Sequence, residues 1–357
     1  MAVQGIQTEQ TERAVQARFT VIAGGGMLLL LLSSIIVSAT MGFMQIPATT
    51  VMQLIIHALC CSDKETGFDP VVTAVVMDIR LPRILAAVLV GGMLALCGTI
   101  FQAILLNPLA DPYTLGISSG AAFGASLVIV LQVVGLVLPT TFSVPIFAFL
   151  GSLGTLFTVL ALASEDRRLS STSLILSGVI VAAILSAAIG FLKFIADEQV
   201  GIIIFWLMGS LSGISRQNIL VLLPVALLGT TVCLFYSRDL NIMATGERAA
   251  TTLGINTVRL RWILLITCSL MTALCVSVSG IIGFVGLIVP HLLRHLLGPD
   301  NRQLIILSTL GGGLLLLVAD TVTRAVLPAE VPIGVLTALL GGPFFAYIFK
   351  KRQQENG

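Results

Sequence analysis

Long apolar runs with few charges constrain this chain more than any other feature of its sequence. The plainest run, Ile84 to Leu106, contains no Asp, Glu, Lys or Arg. A helix needs about 20 such residues to cross a hydrocarbon core of roughly 30 Å. The chain is 57% hydrophobic and only 10% charged, whereas soluble proteins carry about 25% charged residues. The sequence therefore predicts an all-α, polytopic membrane protein.

Charges, prolines and glycines divide the apolar runs into ten predicted transmembrane helices. They lie near residues 19–41, 83–106, 113–134, 145–163, 172–194, 217–236, 260–280, 281–297, 303–326 and 333–350. The stretch around Gly280 also fits a break within one bent helix. Residues 1–18 are predicted as a polar cytoplasmic tail, and residues 19–357 as a single transmembrane domain.

The distribution of basic residues predicts the orientation. The first apolar run is longer than the core of a signal peptide, so we expect the N-terminal tail to remain in the cytoplasm. With this orientation, thirteen of the 19 lysines and arginines fall on the cytoplasmic side, as the positive-inside rule requires. The sequence predicts a multi-pass protein of the cytoplasmic membrane with both termini inside.

Small residues spaced four apart predict where helices pack closely, because close contact in lipid depends on small side chains. One ridge in the third span consists of Gly116, Gly120 and Gly124. A second ridge in the fifth span consists of Gly178, Ala182, Ser186 and Gly190. Both spans are therefore expected inside the bundle.

The polar segment from Ser237 to Arg261 is too charged to cross a membrane. Gly246 divides it into two short predicted helices, at about residues 239–256, and Gly254 suits a C-terminal cap. An ordinary surface loop is the alternative. However, the segment carries apolar residues that a free loop would not expose, so it is interpreted as a surface for a partner protein.

Signals for chemistry are scarce. The sequence lacks the GxxxxGK[ST] phosphate loop, so any ATP must be used on another chain. His291 and His295 are spaced like zinc ligands, but HLLRH lacks the Glu of HExxH and Arg294 would repel a cation. We expect no metal, no cofactor bound by this chain and no nucleic-acid partner. Four cysteines within predicted spans are interpreted as packing residues (Cys97, Cys233, Cys268 and Cys275).

Polar groups at membrane depth are few. Lys193 can extend to the outer interface, which leaves Asp320 and Gln102 as the main buried polar residues. A secondary transporter would more often carry several such groups. That alternative, a passive channel and an intramembrane enzyme all remain open, although no nucleophile with a base supports an enzyme.

Several motifs occur in a fixed order: RLPR (80–83), NPLADPYTLGISSGA (107–121), LSSTSLILSGV (169–179), ATGERAATTLG (244–254), GFVGLIVPHLLR (283–294), AD (319–320) and EVPIGVLTALLGGPFF (330–345). Together they resemble the FecCD-like permeases. These are the membrane subunits of type II ATP-binding-cassette importers for ferric siderophores, haem and vitamin B12. The resemblance covers about residues 75–348.

The resemblance implies a type II importer fold and a set of partners. Two ten-helix subunits would surround a central path in a bacterial inner membrane, with lipid around them. Two separate ATPase subunits would bind ATP and Mg²⁺, and a periplasmic or lipoprotein binding protein would deliver the metal chelate. Because this chain is one ten-helix unit, a homodimer is favoured, while a paralogous partner stays open.

The resemblance also implies roles for individual residues. Cytoplasmic gate and path residues would be Asn107, Leu109, Thr172, Ser173 and Gln102. Residues that couple to the ATPase would be Ala244, Gly246, Glu247, Ala249, Ala250, Leu253 and Gly254. Residues that dock the binding protein would be Arg80, Arg83 and Arg324. For the arginines, the alternatives are contact with lipid phosphates or internal pairing with Asp78 and Glu330.

Overall fold

The computed structural model describes residues 2–42, 44–60, 68–136, 140–165, 169–326 and 330–356. Within these ranges the chain is all-helical. Its α-helices are α1 (Ala2–Thr40), α2 (Ala48–Cys60), α3 (Pro70–Ala74), α4 (Leu81–Ile104), α5 (Ile117–Val133), α6 (Thr140–Ala163), α7 (Ser171–Ala196), α8 (Val200–Leu207), α9 (Arg216–Phe235), α10 (Ser237–Met243), α11 (Glu247–Thr252), α12 (Thr257–Ser279), α13 (Val285–Leu297), α14 (Asn301–Ala325) and α15 (Ile333–Asn356).

Seven helical stretches in the described chain are long and apolar enough to cross a membrane. They contain α1, α4, α6, α7, α9, α12 and α14. The three other predicted spans correspond to the shorter apolar helices α5, α13 and α15. The polytopic all-α class is confirmed, and the count of ten spans stays a prediction. Helix α1 begins at Ala2, so it includes the segment predicted as a separate tail.

Helix α4 is the centre of the bundle. It continues α3 through a π-helical turn, Val75–Arg80, so that one helix runs from Pro70 to Ile104. Its most apolar window is 83% buried, whereas that of α1 is only 6% buried. Around α4 pack α1, α9, α12, α13 and α14, with α14 making the most extensive contact. Helices α5, α6 and α7 form a second group joined to this core through α12.

Directions of the helices follow from contacts between their ends. The Thr20 hydroxyl near the start of the apolar part of α1 bonds to Gln303 at the start of α14 (2.8 Å). At the other end, Thr321 of α14 bonds to Ser38 of α1 (2.8 Å). Helices α1 and α14 are therefore parallel, and α4, which begins beside their last turns, runs opposite to both. We call the two ends of the bundle the α11 end and the Arg80 end.

Glycines allow the central helices to touch backbone to backbone. A Cβ atom on Gly91 of α4 would overlap the carbonyl oxygen of Gly312 in α14, and one on Gly98 would overlap that of Gly286 in α13. In the second group, Gly120 of α5 meets Gly151 of α6 in the same way. These approaches are closer than any residue with a side chain permits.

The two predicted glycine ridges have different outcomes. The ridge on α5 packs against α6 along its length, as predicted. The ridge on α7 packs only in its first part, where Gly178 lies against the backbone of Thr114 and Leu115. Ser186 is exposed and Gly190 has no neighbour within 4 Å of a would-be Cβ. The face of α7 that carries Ser186 and Gly190 is therefore exposed in the described part of this chain, whereas Ile189 and Leu192 on another face are buried.

Besides α3, which continues into α4, and the predicted short pair α10 and α11, two further helices lie outside the predicted spans. Helix α2 has 13 residues and α8 has eight, too few to cross a hydrocarbon core. Helix α8 follows α7 after Asp197, whose backbone is left-handed (φ 48°), and a short 3₁₀ turn. This break redirects the chain, so the apolar run from 171 to 207 forms two helices.

The close contact at Gly98 makes a direct prediction. Replacing Gly98 by Ala should destabilise the protein by about 1–3 kcal/mol, because the added methyl group forces α4 and α13 apart. The matched control is Gly154→Ala in α6, where nothing lies within 4 Å of the new Cβ. Thermal unfolding of both variants in the same detergent measures the difference. Equal melting temperatures for the two would contradict the assigned contact.

Candidate translocation path, coupling surface and basic corner

The segment after α4 turns sharply by means of its own polar groups. The Asn107 N–H donates to the Gln102 carbonyl (3.2 Å), and Asn107 Oδ1 accepts from the Leu109 N–H (3.0 Å). Leu106 has a left-handed backbone (φ 48°). Leu106 and Leu109 are 55% and 44% exposed. Asn107 thus stabilises a turn in which Leu106, before it in the chain, and Leu109, after it, are exposed.

The rest of this turn runs back into the bundle. Pro112 lies where a Cβ on Gly286 would be, beside the carbonyl of Leu94. Leu94 precedes the end of α4 by ten residues, which is about 15 Å along a helix axis. The Tyr113 hydroxyl donates to the Ile282 carbonyl (2.8 Å). Residues 107–116 therefore form a re-entrant turn that docks between α4 and the break that precedes α13.

Local hydrogen bonds satisfy the backbone of the re-entrant turn, as an irregular segment inside a bundle requires. Asp111 Oδ1 accepts from the Tyr113 N–H (2.6 Å), and the Asp111 N–H donates to Thr114 Oγ1 (2.9 Å). Gly116 ends the turn with a left-handed backbone (φ 74°). The prolines thus have a structural role, because they end helical geometry on both sides of this turn.

The break between α12 and α13 is the second irregular segment. Gly280 and Phe284 both have left-handed backbones (φ 67° and 68°). The Ser210 N–H, from the loop after α8, donates to the Ser279 carbonyl (2.7 Å). The Gly334 N–H at the start of α15 donates to the Met208 carbonyl (3.1 Å). The break therefore joins α8, α12, α13 and α15, and the stretch around Gly280 forms two helices.

Gln102 lies in the last turn of α4 and is buried (4% exposed). Its Nε2 is 3.5 Å from the Gly286 carbonyl, a long hydrogen bond. Its Oε1 has no partner. Gln102 therefore contacts the α13 backbone beside the re-entrant turn, with an acceptor available to a water or ligand.

Thr172 and Ser173 lie in the first turn of α7. The cap residue Ser170 accepts from the Ser173 N–H (3.3 Å), and the two hydroxyls are 2.9 Å apart. Thr172 is exposed and Ser173 is half-buried. Gly178 of α7 packs on Leu115, near the end of the re-entrant turn. The two predicted gate pairs, Asn107 with Leu109 and Thr172 with Ser173, therefore lie on neighbouring segments.

Helices α10 and α11 form a short pair attached to the ends of two long helices. The Asn241 side chain donates to Asp300 (2.8 Å) and accepts from the Asn301 backbone N–H (2.8 Å), both at the start of α14. Glu247 of α11 pairs with Arg261 of α12 (3.5 Å). The pair is therefore anchored to α14 and α12, with Gly246 between its helices as predicted.

The predicted coupling residues divide into exposed and buried groups. Ala244, Ala249, Leu253 and Gly254 are exposed, Gly246 and Glu247 are half-buried, and Ala250 is fully buried. Leu253 is an apolar side chain with 69% exposure. A surface cavity of 790 Å³ is lined by residues that include Gly246, Glu247 and Ala249. Ala250 therefore packs on the buried side of α11 and does not belong to the exposed surface.

Arg80 lies at the opposite end of the bundle, where it binds the C-terminus of α1. It is only 4% exposed and donates to the carbonyls of Ala39 (2.8 Å) and Met44. The last carbonyls of a helix have no partner within the helix and carry partial negative charge. Arg80 satisfies the carbonyl of Ala39, and Gly42 is needed there because a Cβ would meet the Arg80 guanidinium.

Arg83 and Arg324 converge on Asp320, which is fully buried. Arg83 Nε is 2.9 Å from Asp320 Oδ1 and Arg83 Nη1 is 3.3 Å from Glu330. Arg324 Nε is 3.8 Å from Asp320 Oδ2, and its Nη1 donates to the Met41 carbonyl (2.6 Å). We call these five residues the basic corner: Arg80, Arg83, Arg324, Asp320 and Glu330.

Internal partners therefore occupy all three arginines predicted to dock a binding protein. Internal pairing was an alternative in the sequence. Of the two acidic partners in that alternative, Glu330 does pair with Arg83. Asp78 instead pairs with Arg216 (2.9 Å), and Asp320 is the second partner of Arg83. In the sequence Asp320 is an isolated polar residue, because its contact with Arg83 joins residues 237 positions apart.

Tyr113, Asn241 and Asp300 were not predicted as site residues. Tyr113 follows Pro112 inside the motif NPLADPYTLGISSGA. A tyrosine in a turn between two apolar runs could have indicated a buried hydrogen bond, since a buried hydroxyl needs a partner. Asn241 and Asp300 lie 59 residues apart and carried no local signal.

Among the described residues, no group of three or more His, Cys, Asp or Glu side chains is placed to hold a metal. His291 instead lies near Phe345 of α15, with ring centres 6.2 Å apart. The four cysteines in spans are unpaired and buried, as predicted for packing residues.

Comparison with known proteins gives a consistent result. The sequence model of the FecCD transport family matches residues 28–351. The chain is 42% identical to the cobalamin import system permease protein BtuC of Halobacterium salinarum over 287 residues, covering 80% of this chain and 76% of the relative. It is 42% identical to the hemin transport system permease protein HmuU of Yersinia pestis over 288 residues, covering 79% and 85%.

A solved structure supports the same likeness. It shows an inward-facing conformation of a metal-chelate type ABC transporter, with a TM-score of 0.79 and 33% sequence identity. The alignment covers 92% of this chain and 98% of the other. The likeness thus extends over nearly all of both chains.

Proposed function

This chain belongs to the FecCD transport family, and we propose from that premise that two copies form the membrane path of an ATP-driven importer. The chain is a permease of an ABC importer for metal chelates, and not the subunit that hydrolyses ATP. Relatives of this chain carry cobalamin and hemin in their names, so a bulky metal chelate is the proposed cargo.

One observation carries this proposal beyond the family. The α10–α11 pair is anchored to the ends of α12 and α14, and it presents the exposed residues Ala249, which lines a cavity of 790 Å³, and Leu253. Such an exposed apolar surface indicates a protein partner. We assign that partner as an ATPase subunit, which would bind ATP and Mg²⁺, with no cofactor held by this chain.

The proposed orientation places the α11 end in the cytoplasm. Both termini then lie inside, in agreement with the distribution of Lys and Arg. The Arg80 end would face the binding protein in the periplasm or at the cell surface. In the basic corner, Glu330 has a side chain that is 55% exposed, and Met41 and Met44 lie exposed on the loop that Arg80 and Arg324 hold. We propose that this loop and Glu330 contact the binding protein while the guanidinium groups position them.

Exposed faces on α7 and α15 support a dimer of identical chains. On α7, exposed residues at helical spacing begin at Thr172 and continue through Leu176, Ile180 and Ile184 to Phe191. On α15, Leu339, Leu340 and Tyr347 are exposed. A second copy placed against these faces would give Gly190 a neighbour, and it would leave the re-entrant turn beside the dimer axis.

Reconstitution tests the function directly. The permease with its ATPase and binding protein in proteoliposomes should accumulate a ferric siderophore, haem or cobalamin only when ATP is supplied. Flux of a chelate through the permease alone, at the same rate with and without ATP, would instead support the alternative of a passive channel. Uptake driven by an ion gradient without ATP would support a secondary transporter.

The gate residues make a separate prediction. Single cysteines at Asn107, Leu109, Thr172 or Ser173, in a variant without native cysteines, should crosslink the two copies in one nucleotide state and not in another. Opening and closing of a gate at the dimer axis changes the distance between equivalent residues. The control is Phe157→Cys on α6, which is 63% exposed and is not one of the predicted gate residues. Crosslinking that ignores the nucleotide state would remove these residues from the gate.

A further inference from the structure

A deep groove lies between α6 and α9, with α12 as its floor. The cavity has a volume of 690 Å³. Its walls are almost wholly apolar, for example Leu150 on α6, Leu228 on α9 and Leu274 on α12. Met271 forms part of the floor, where Gly229 leaves room for its thioether. We call this cavity the trench.

A second cavity of 1020 Å³ continues the trench toward the Arg80 end. The two share residues that include Pro145, Asn218 and Ser277, so they form one groove. The second cavity is more polar than the first, because three glutamines and the serines of the loop before α9 line it. Trp206 also lines it, and tryptophan is enriched where a membrane protein meets the headgroup layer. We call this cavity the mouth.

The trench is longer than the hydrocarbon part of one bilayer leaflet. Its lining on α9 begins at Asn218 and reaches Val232, which is about 21 Å along the helix. The hydrocarbon core of a bilayer is about 30 Å thick, so one leaflet contributes about 15 Å. A lipid acyl chain lying beside α9 would therefore fit within the trench, and its headgroup would reach the mouth.

Charge restricts the kind of headgroup. None of the described residues that line the trench or the mouth is Asp, Glu, Lys or Arg. Arg216, which lies between the lining residues Ser215 and Gln217, is paired with Asp78 (2.9 Å). An anionic headgroup would therefore find no unpaired cation at the mouth, and burying an unpaired charge is costly. The polar groups of the mouth can instead donate and accept hydrogen bonds from a headgroup with no net charge.

We propose that the groove is a binding site for one phospholipid with a zwitterionic headgroup, in the leaflet at the Arg80 end. An acyl chain fills the trench between α6 and α9, and the headgroup binds in the mouth near Gln217 and Asn218. The site needs no second copy of the chain. Helix α7, whose exposed face is assigned to the dimer, contributes no lining residue, and neither does α15.

Adjacent residues on α9 provide a matched test. Val221 and Leu228 line the trench, whereas Leu220 and Leu227 do not, although all four are more than half exposed. The variant Val221→Trp with Leu228→Trp should fill the trench and reduce phospholipid that copurifies in mild detergent several-fold. The variant Leu220→Trp with Leu227→Trp adds the same aromatic surface and should leave the bound lipid unchanged. Native mass spectrometry counts the lipid on each chain.

Headgroup choice and location provide two further readouts. In exchange experiments, phosphatidylethanolamine should displace phosphatidylglycerol from the wild-type chain, and a photoreactive phosphatidylethanolamine should label peptides of α9 and α12. Preference for phosphatidylglycerol would overturn the zwitterionic assignment. Equal lipid loss in both double variants, or labelling spread evenly over all lipid-facing helices, would overturn the site. Crosslinks between Leu228→Cys chains of two copies would show that a second copy occupies the groove instead.

Discussion

Replacing Asp320 by Asn should lower the free energy of unfolding by about 3–5 kcal/mol, because removing one partner of a buried ion pair leaves the other charge uncompensated. Asp320 is fully buried and lies between Arg83 and Arg324. Thermal unfolding in detergent, followed by the reaction of the buried thiols with a fluorescent probe, gives the measurement. Cys97, Cys233, Cys268 and Cys275 are all shielded in the folded chain, so they report loss of the core.

The chain contains its own control for this experiment. Arg216 and Asp78 form an ion pair of the same length, 2.9 Å, with side chains that are 62% and 61% exposed. Replacing Asp78 by Asn should cost less than about 1 kcal/mol, since solvent screens exposed pairs. The double variant Arg83→Gln with Asp320→Asn should be more stable than the sum of the single changes predicts. Equal effects of Asp320→Asn and Asp78→Asn would contradict a buried corner.

Replacing Ala249 by Arg should abolish transport and binding of the ATPase while the permease remains folded. Ala249 is exposed and lines the cavity beside α11, where a long charged side chain would fill the space that the ATPase is proposed to enter. Copurification of the ATPase, ATP-dependent uptake and the melting temperature of the permease together measure the effect. Only the first two should change.

Two neighbouring positions separate docking from stability. Thr252→Arg places the same side chain on α11 outside the cavity lining, and it should weaken ATPase binding less than Ala249→Arg. Ala250→Arg replaces a fully buried residue, so it should lower the melting temperature because it buries an unpaired charge. Full transport by Ala249→Arg would show that the ATPase docks elsewhere.

Much of the helical architecture was accessible from the sequence because lipid enforces a simple pattern. Apolar runs of sufficient length must form helices, since backbone groups in a bilayer have no other partners. The long helices and the short pair around Gly246 follow from such runs and from their interruptions. Helix α8 was missed because its eight residues are too few for a span, although Asp197, Glu198 and Gln199 separate it from α7.

The candidate site was less accessible, because its decisive contacts join distant residues. The motif around Asn107 predicted a functional turn, but nothing in the neighbouring sequence indicated that the Tyr113 hydroxyl bonds to the Ile282 carbonyl. The arginines illustrate the same limit. Their position at the ends of spans is visible in the sequence. The direction in which their guanidinium groups point depends on Asp320 and on the last turn of α1, which lie far away in the chain.

The glycine contacts at the centre of the bundle restrict how this protein can change shape. Where Gly91 meets Gly312 and Gly98 meets Gly286, no side chain lies between the helices that could adopt another rotamer during a sliding motion. Shear between packed helices normally depends on such small side-chain adjustments. Helices α4, α13 and α14 should therefore move as one rigid body. Any rearrangement that opens and closes a path should then fall to helices outside these contacts, such as α7, whose face from Leu176 to Phe191 is exposed.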